Sequence, residues 1–429
     1  MKRKLATILK TWRQQKKGRL PLLVYGARQV GKTYALRAFG AEAFKQVIYV
    51  NFETNNYLAA YFEDDISPKH ILAVLEAEYK TKIIPEDTLI IFDEVQLCSR
   101  ALTALKYFAE DAPNYYLVAA GSLLGVSINR EQFSFPVGKV QIANMYPLDF
   151  EEFLWATGHN LLSKKIREHF ATNKELPLAL HNEAMALYKE YLYVGGMPAV
   201  VLAYLQESIF SVDETKGYIL AAYGADMTKY ATKSESVKIL EAYDSIPSQL
   251  AKDNKKFQYK LIKNGARSSL YGDALDWLIA AGVVLKCIKC EQGYMPPSIY
   301  EDLSSFKLYF SDCGLFAGKT QMTKEGIAIG NDSNFKGAFS ENYVATTLAA
   351  NGYSLYYWES KNIAEVDFLL VKEGKVIPVE CKTHVNVKSK SLNSFCKRYG
   401  PPYAIRISAK NFGFDNGIKS VPLYAAFAI

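Results

Sequence analysis

Gly26-Ala27-Arg28-Gln29-Val30-Gly31-Lys32-Thr33 follows the apolar run Leu20-Pro21-Leu22-Leu23-Val24-Tyr25. The octapeptide fits G-x-x-x-x-G-K-[ST], and the run before it has the composition of a buried strand feeding a phosphate loop. Glycine lets the backbone turn tightly enough to aim successive N–H groups at phosphate oxygens, and a helix opening near Lys32 adds the positive end of its dipole. Ala35, Leu36, Ala38 and Phe39 continue with helical spacing. Gly26, Ala27, Arg28, Gln29, Val30, Gly31, Lys32 and Thr33 are therefore expected to hold the phosphates of ATP, with Lys32 reaching the outer phosphates and Thr33 ligating Mg2+.

A matching acidic strand is expected at Thr88-Leu89-Ile90-Ile91-Phe92-Asp93-Glu94. Asp93 falls at the C-terminal strand edge, where ligands of open α/β sheets bind, and is expected to hold Mg2+. Glu94, one residue further, is the expected base that polarises water, so hydrolysis is expected as well as binding. A third strand, Tyr115 to Ala120, ends in Gly121-Ser122. Ser122 either senses the γ-phosphate or caps a helix opening at Leu123 and Leu124, and the residues leave both open.

The chain has 429 residues, 49% of them apolar, enough for two or three domains with their own cores. No run approaches the roughly 18 uncharged apolar residues of a membrane span, and no long apolar segment follows Met1-Lys2-Arg3-Lys4, so a cytoplasmic protein without membrane contact is expected. The six cysteines sit singly in apolar segments, as reduced core thiols do. Cys287-x-x-Cys290 reads as two thiols on a strand, since zinc or redox use lacks a second pair and a nearby histidine. The net charge of +7 is N-terminal: residues 1–41 hold eleven Lys and Arg and no acid, leaving 40 basic and 44 acidic residues elsewhere. Lys2, Arg3, Lys4, Lys10, Arg13, Lys16, Lys17 and Arg19 surround a helix with Leu5, Ile8, Leu9 and Trp12 on its apolar side, either a nucleic-acid face or a solvated one.

Beyond Ser122, Asp149 is placed as a helix N-cap in Tyr146-Pro147-Leu148-Asp149-Phe150-Glu151-Glu152-Phe153. Together with the phosphate loop, Asn51-Phe52-Glu53, Asp93-Glu94-Val95-Gln96, Gly121-Ser122 and Tyr193-Val194-Gly195-Gly196-Met197-Pro198, this segment resembles prokaryotic AAA-type ATPases with a C-terminal domain of unknown function. The resemblance spans nearly the whole chain. It implies a cytoplasmic P-loop domain with a DNA-directed or regulatory output.

The middle region is expected to be helical and to end in a winged helix: helices over 237–250 and 268–281, then a strand from Gly282 into a hairpin at Glu291-Gln292-Gly293. Lys252, Lys255, Lys256, Lys260, Lys263 and Arg267 face only Asp253, a stretch suited either to DNA phosphates or to packing.

At the C-terminus, Glu341 on a helix, Asp367 in a strand over 365–371 and Glu380-Cys381-Lys382 at the end of a strand over 376–382 resemble the PD-(D/E)xK nuclease core. Folding a hairpin at Glu373-Gly374 sets 371 opposite 376 and, by counting, Asp367 opposite Glu380 with Lys382 on the same face. Glu341, Asp367 and Glu380 are then expected metal ligands, and Asp367, Glu380 and Lys382 a catalytic set. Residues 381–414 contain no acid, and Lys382, Lys388, Lys390, Lys397, Arg398, Arg406 and Lys410 offer a backbone track for DNA.

The expected architecture is α/β: an AAA-type ATP-binding domain with a parallel sheet over 1–190, a helical and winged-helix region over 191–330, and a restriction-endonuclease-like α/β domain over 331–429. Two functions fit. One is an ATP-hydrolysing switch coupled to a DNA-directed, nucleolytic domain. The other is a signalling or interaction ATPase whose nuclease-like domain is an inactive scaffold that engages a protein partner or a second copy. Arg100 and Arg130 are available as arginine fingers.

Overall fold

The computed structural model describes residues 1–15, 17–122, 136–206, 209–229, 232–329, 333–360, 364–383 and 390–429. Arg130, Lys388 and the helix proposed at Leu123 and Leu124 lie outside these residues. The chain forms two compact units, one of residues 1–146 with 280–282 and one of 147–279 with 283–429.

The first unit is built on five parallel strands: β1 (Leu22–Tyr25), β2 (Gln46–Asn51), β3 (Thr88–Asp93), β4 (Tyr116–Gly121) and β5 (Gln141–Asn144), in the order β2-β3-β4-β1-β5. All six residues of β3 are buried, as an inner parallel strand covered on both faces requires. Its core includes Phe52, Phe62 and Phe92, whose rings meet edge to face at 5.5 to 5.7 Å. The N-terminal helix Leu5–Gln14 buries Leu5, Leu9 and Trp12. Two cations in and after it are structural: Lys10 pairs with Glu42 at 2.8 Å, and Arg19 stacks on Tyr116 at 3.6 Å while donating to the Pro113 and Asn114 carbonyls.

The second unit combines helices with an eight-stranded sheet of β6 (Val284–Cys290), β7 (Glu301–Phe310), β8 (Tyr356–Ser360), β9 (Ala364–Lys372), β10 (Lys375–Cys381), β11 (Ala404–Ser408), β12 (Gly413–Asp415) and β13 (Ile418–Pro422). Their order is β12-β13-β11-β10-β9-β8-β6-β7. Helices Lys233–Leu250 and Ser268–Ala280 and the β6–β7 hairpin form where expected. Strand β6 also pairs in parallel with β8, so this hairpin completes the C-terminal sheet and the boundary expected at 330 is crossed by hydrogen bonds.

Two motifs of the family resemblance meet inside this unit. Asp149 caps the helix Phe150–Ala156 by accepting from Glu152 N–H at 2.9 Å, and the Glu152 carboxylate accepts the Asp149 N–H in return. The adjoining Leu148 N–H donates to Gly196 O at 2.7 Å, and the buried Asp312 carboxylate accepts the Gly196 N–H at 2.6 Å. A Cβ on Gly196 would lie 1.9 Å from the Leu148 carbonyl oxygen, so only glycine allows this approach.

Candidate functional site

In the first unit the phosphate loop runs from the end of β1 into the helix Lys32–Ala43. Gly26 has no room for a side chain, because a Cβ would stand 2.2 Å from the Met145 carbonyl oxygen. Gln29 and Gly31 adopt positive φ, which bends the loop back over the helix start. The Lys32 ammonium is buried and donates to the Gly26 and Ala27 carbonyls, both at 2.9 Å. Burial lowers its pKa to about 8, opposed by the Glu94 and Asp93 carboxylates.

The end of β3 delivers the acids. Thr33 Oγ1 donates to Asp93 Oδ2 at 2.6 Å, joining the phosphate loop to the acidic strand. A hydroxyl and a carboxylate this close are the hard oxygen donors that Mg2+ takes. Glu94 adopts the left-handed conformation at φ +51°, which carries its side chain off the strand path. Its Oε2 accepts from Gln96 Nε2 at 2.5 Å and from Ser122 Oγ at 3.4 Å. Ser122 thus reaches the expected base directly. Arg28 lies 4.0 Å from Glu53, and Arg100 is turned to Phe62 O and Glu63.

Tyr49 and Asn51 were not singled out by spacing as site residues. Strand β2 pairs with β3 so that Asn51 stands opposite Asp93, and the Tyr49 hydroxyl donates to Asp93 Oδ2 at 2.8 Å. Asn51 donates to that hydroxyl at 3.2 Å and accepts the Glu53 and Thr54 N–H groups. The polar Tyr and Asn at the end of an otherwise apolar strand were the available signal.

In the second unit the hairpin register holds where it was counted: Lys372 opposes Lys375 and Val371 opposes Val376. The counted pairing continues to Phe368 opposite Val379, the step before Asp367 and Glu380, where the ladder ends. Between its pairings Tyr356↔Leu369 and Trp358↔Val366, β9 carries one residue more than β8, a bulge at Asp367 and Phe368. Val366, Leu369 and Val376 share one core, whereas Asp367 lines a cavity of about 370 Å3 with Glu341, Lys252, Lys255, Cys381 and Lys382. Glu380 does not line it. The buried Glu380 instead keeps one oxygen 3.5 Å from Lys382 Nζ and the other without a hydrogen bond. The expected ligand set of Glu341, Asp367 and Glu380 is therefore not assembled, and among the described residues no three His, Cys, Asp or Glu side chains form a group able to hold a metal ion.

Lysines occupy the carboxylates that do converge. Lys307, fully buried on β7, donates to Glu341 at 2.9 Å and also to Glu365, and Glu341 is paired with Lys255. Burial opposes the charge on both Glu341 and Lys307. The two lysines nevertheless hold Glu341 well below the ordinary carboxylate range, and Glu341 with Glu365 and Asp367 holds Lys307 well above the ordinary ammonium. Asp367 accepts the Cys381 N–H at 2.7 Å, and burial followed by the Glu341 charge pushes its pKa up. Lys256 pairs with the half-buried Glu359, and Lys263 with Glu241 at 2.8 Å. Of the basic stretch expected to face phosphates, Lys255, Lys256 and Lys263 are thus engaged within the unit. A lysine inside the apolar run Phe306-Lys307-Leu308-Tyr309-Phe310 was the signal for a buried carboxylate partner.

Residues 18–154 match the family described as an AAA domain. That matched segment covers most of the first unit. Beyond the AAA domain, residues 185–325 and 336–426 match two domains of unknown function, DUF8612 and DUF4143. No curated protein matches the chain. Among solved structures, the chain is similar to a Walker-type ATPase of Pyrococcus abyssi, at 15% identity and TM-score 0.44 over 73% of this chain and 94% of that one. It is also similar to the ORC1 protein of Aeropyrum pernix in complex with DNA, at 13% identity and TM-score 0.28 over 74% and 90%. AMPPCP-bound DnaA from Aquifex aeolicus gives 14% identity and TM-score 0.29 over 63% and 86%. Among the described residues no helix is long and apolar enough to cross a membrane.

Proposed function

We propose that this protein is an ATP-hydrolysing switch whose second unit acts through binding rather than through cleavage. The contact that carries the first half is Thr33 Oγ1 to Asp93 Oδ2 at 2.6 Å, with Glu94 one residue on and turned away from the strand path. In this reading Gly26 to Thr33 wrap the phosphates and Lys32 takes their charge, which would relieve the desolvation that lowers its pKa. Thr33 and Asp93 are the residues that would hold Mg2+, whose charge offsets that of the phosphates when it is bound. Glu94 accepts a proton from the attacking water, and Ser122 and Gln96 orient its carboxylate.

The second half rests on Lys307 and Lys255 neutralising Glu341, and on Glu380 not lining the cavity that holds Asp367. This favours the interaction ATPase over the nucleolytic reading. Steady-state hydrolysis by wild type, Lys32→Ala and Glu94→Gln tests the ATPase: Lys32→Ala should lose binding, and Glu94→Gln should bind ATP without turnover. Wild-type hydrolysis by Glu94→Gln would remove Glu94 from the role of base. Magnesium-dependent nicking of DNA by wild type, abolished in Asp367→Ala, would overturn the binding-only reading of the second unit.

A further inference from the structure

The carbonyl groups of a phosphate loop must point away from the anion that its N–H groups face, because an inward carbonyl oxygen repels phosphate. The peptide joining Val30 to Gly31 is the one most open to turning over. Gly31 sits at φ +93°, and glycine crosses between left- and right-handed backbone regions without the penalty that a Cβ imposes. If that peptide flipped, the Val30 oxygen would enter the cradle and the Gly31 N–H would leave it.

Arg3 opposes the flip. The residue is only 8% exposed, and its guanidinium donates to the Val30 carbonyl at 2.8 Å and to the Tyr146 carbonyl at 2.6 Å. The planar fork thus ties the loop to the segment following β5, whose Met145 N–H already bonds the Tyr25 carbonyl at 2.7 Å. The base of the fork is fixed too, since the helix beginning two residues later buries Leu5, Leu9 and Trp12. A hydrogen bond from a charged donor is roughly twice as strong as a neutral one, enough to bias a peptide orientation.

We infer that Arg3 is a positioning residue for nucleotide binding, holding the Val30 carbonyl outward so that the Gly31 N–H stays turned toward the phosphates. The inference rests on the ATP reading above. It also gives one cation of the basic N-terminal helix a role inside the ATPase unit in place of a nucleic-acid contact.

The test is ATP binding by calorimetry and steady-state hydrolysis on the full chain, in wild type, Arg3→Gln, Arg3→Lys and Leu5→Ala. Arg3→Gln should raise Kd and KM about tenfold, the worth of one strong hydrogen bond, with kcat changed less than about twofold. Arg3→Lys, which keeps a charged donor without the fork, should fall between the two. Leu5→Ala loosens the helix without touching either carbonyl, so it should lower Tm and leave Kd at the wild-type value. A wild-type Kd in Arg3→Gln overturns the inference, as does a Kd in Leu5→Ala that rises as far as in Arg3→Gln. Should Arg3→Gln not fold, the comparison of Arg3→Lys with Leu5→Ala decides by the same criterion. Failure of the wild type itself to bind ATP would overturn the ATP reading and the role of Arg3 together.

Discussion

Replacing Lys307 by methionine removes the cation that pairs with both Glu341 and Glu365 while keeping most of the side-chain volume. Removing one partner of a buried ion pair costs about 3–5 kcal/mol, because the remaining charge stays desolvated. Two features put Lys307→Met at the low end. Glu341 keeps Lys255 and the Tyr309 hydroxyl at 2.5 Å, and Glu365, 34% exposed, can turn to water. A loss of about 3 kcal/mol follows, roughly 6 to 12 °C in Tm for a domain of this size class. The pH dependence is set by the signs. The Lys307 pKa is raised above 10.5 in the folded protein, so its contribution is complete below 10.5 and is lost only as pH rises through the folded value. The Glu341 pKa is lowered below 4.5, so its contribution is present above 4.5 and is lost on acidification through the folded value. Neither group titrates in the neutral range, so pH dependence of the Lys307→Met deficit there comes from Asp367, whose pKa, raised by burial, is held down by Lys307. Guanidinium unfolding, followed through the buried Trp358, measures the deficit. Adding Glu341→Gln should restore at least about 1 kcal/mol, because contacting charges are coupled. A single-variant loss below about 1 kcal/mol, or strict additivity of the two changes, would refute the description of Lys307 as the internal counter-cation.

Two further variants probe the phosphate loop and the glycine contact. Burial holds Lys32 at about 8 against an ordinary 10.5, a cost of about 3 kcal/mol to the protein without nucleotide, offset by two hydrogen bonds of about 1 kcal/mol each. Lys32→Met should therefore stabilise the nucleotide-free protein by about 1 kcal/mol in thermal melts at pH 7, and the gain should shrink as pH rises from 8 toward 10.5; destabilisation at pH 7 would contradict this. Gly196→Ala forces a carbon to 1.9 Å from the Leu148 oxygen, beyond ordinary overpacking, and should cost the second unit at least about 3 kcal/mol in chemical denaturation. A near-neutral result would mean that the Leu148–Gly196 contact opens freely.

Short-range chemistry made the candidate nucleotide site legible. The phosphate loop is eight consecutive residues whose glycines and lysine act through local backbone geometry, and the apolar run ending in Asp93 and Glu94 fixes which end of β3 carries the acids. Asp149 as an N-cap was readable for the same reason, as was the turn whose two residues Glu373 and Gly374 take positive φ. The partners of Asp93 on β2 were not, because strand order decides that Tyr49 and Asn51 stand beside it.

The second unit depended on tertiary structure. Side chains alternate with a period of two along a strand, so a single extra residue at Asp367 and Phe368 reverses which face the count assigns, and no local residue pattern announced that bulge. The lysines neutralising Glu341 lie 34 and 86 positions away from it, on β7 and in the segment after the helix Lys233–Leu250. From the sequence alone, Lys255 is one of six cations in a stretch suited to DNA phosphates or to packing. Folding makes it the counter-charge of a buried glutamate, because a carboxylate taken out of water must find a cation wherever the chain brings one.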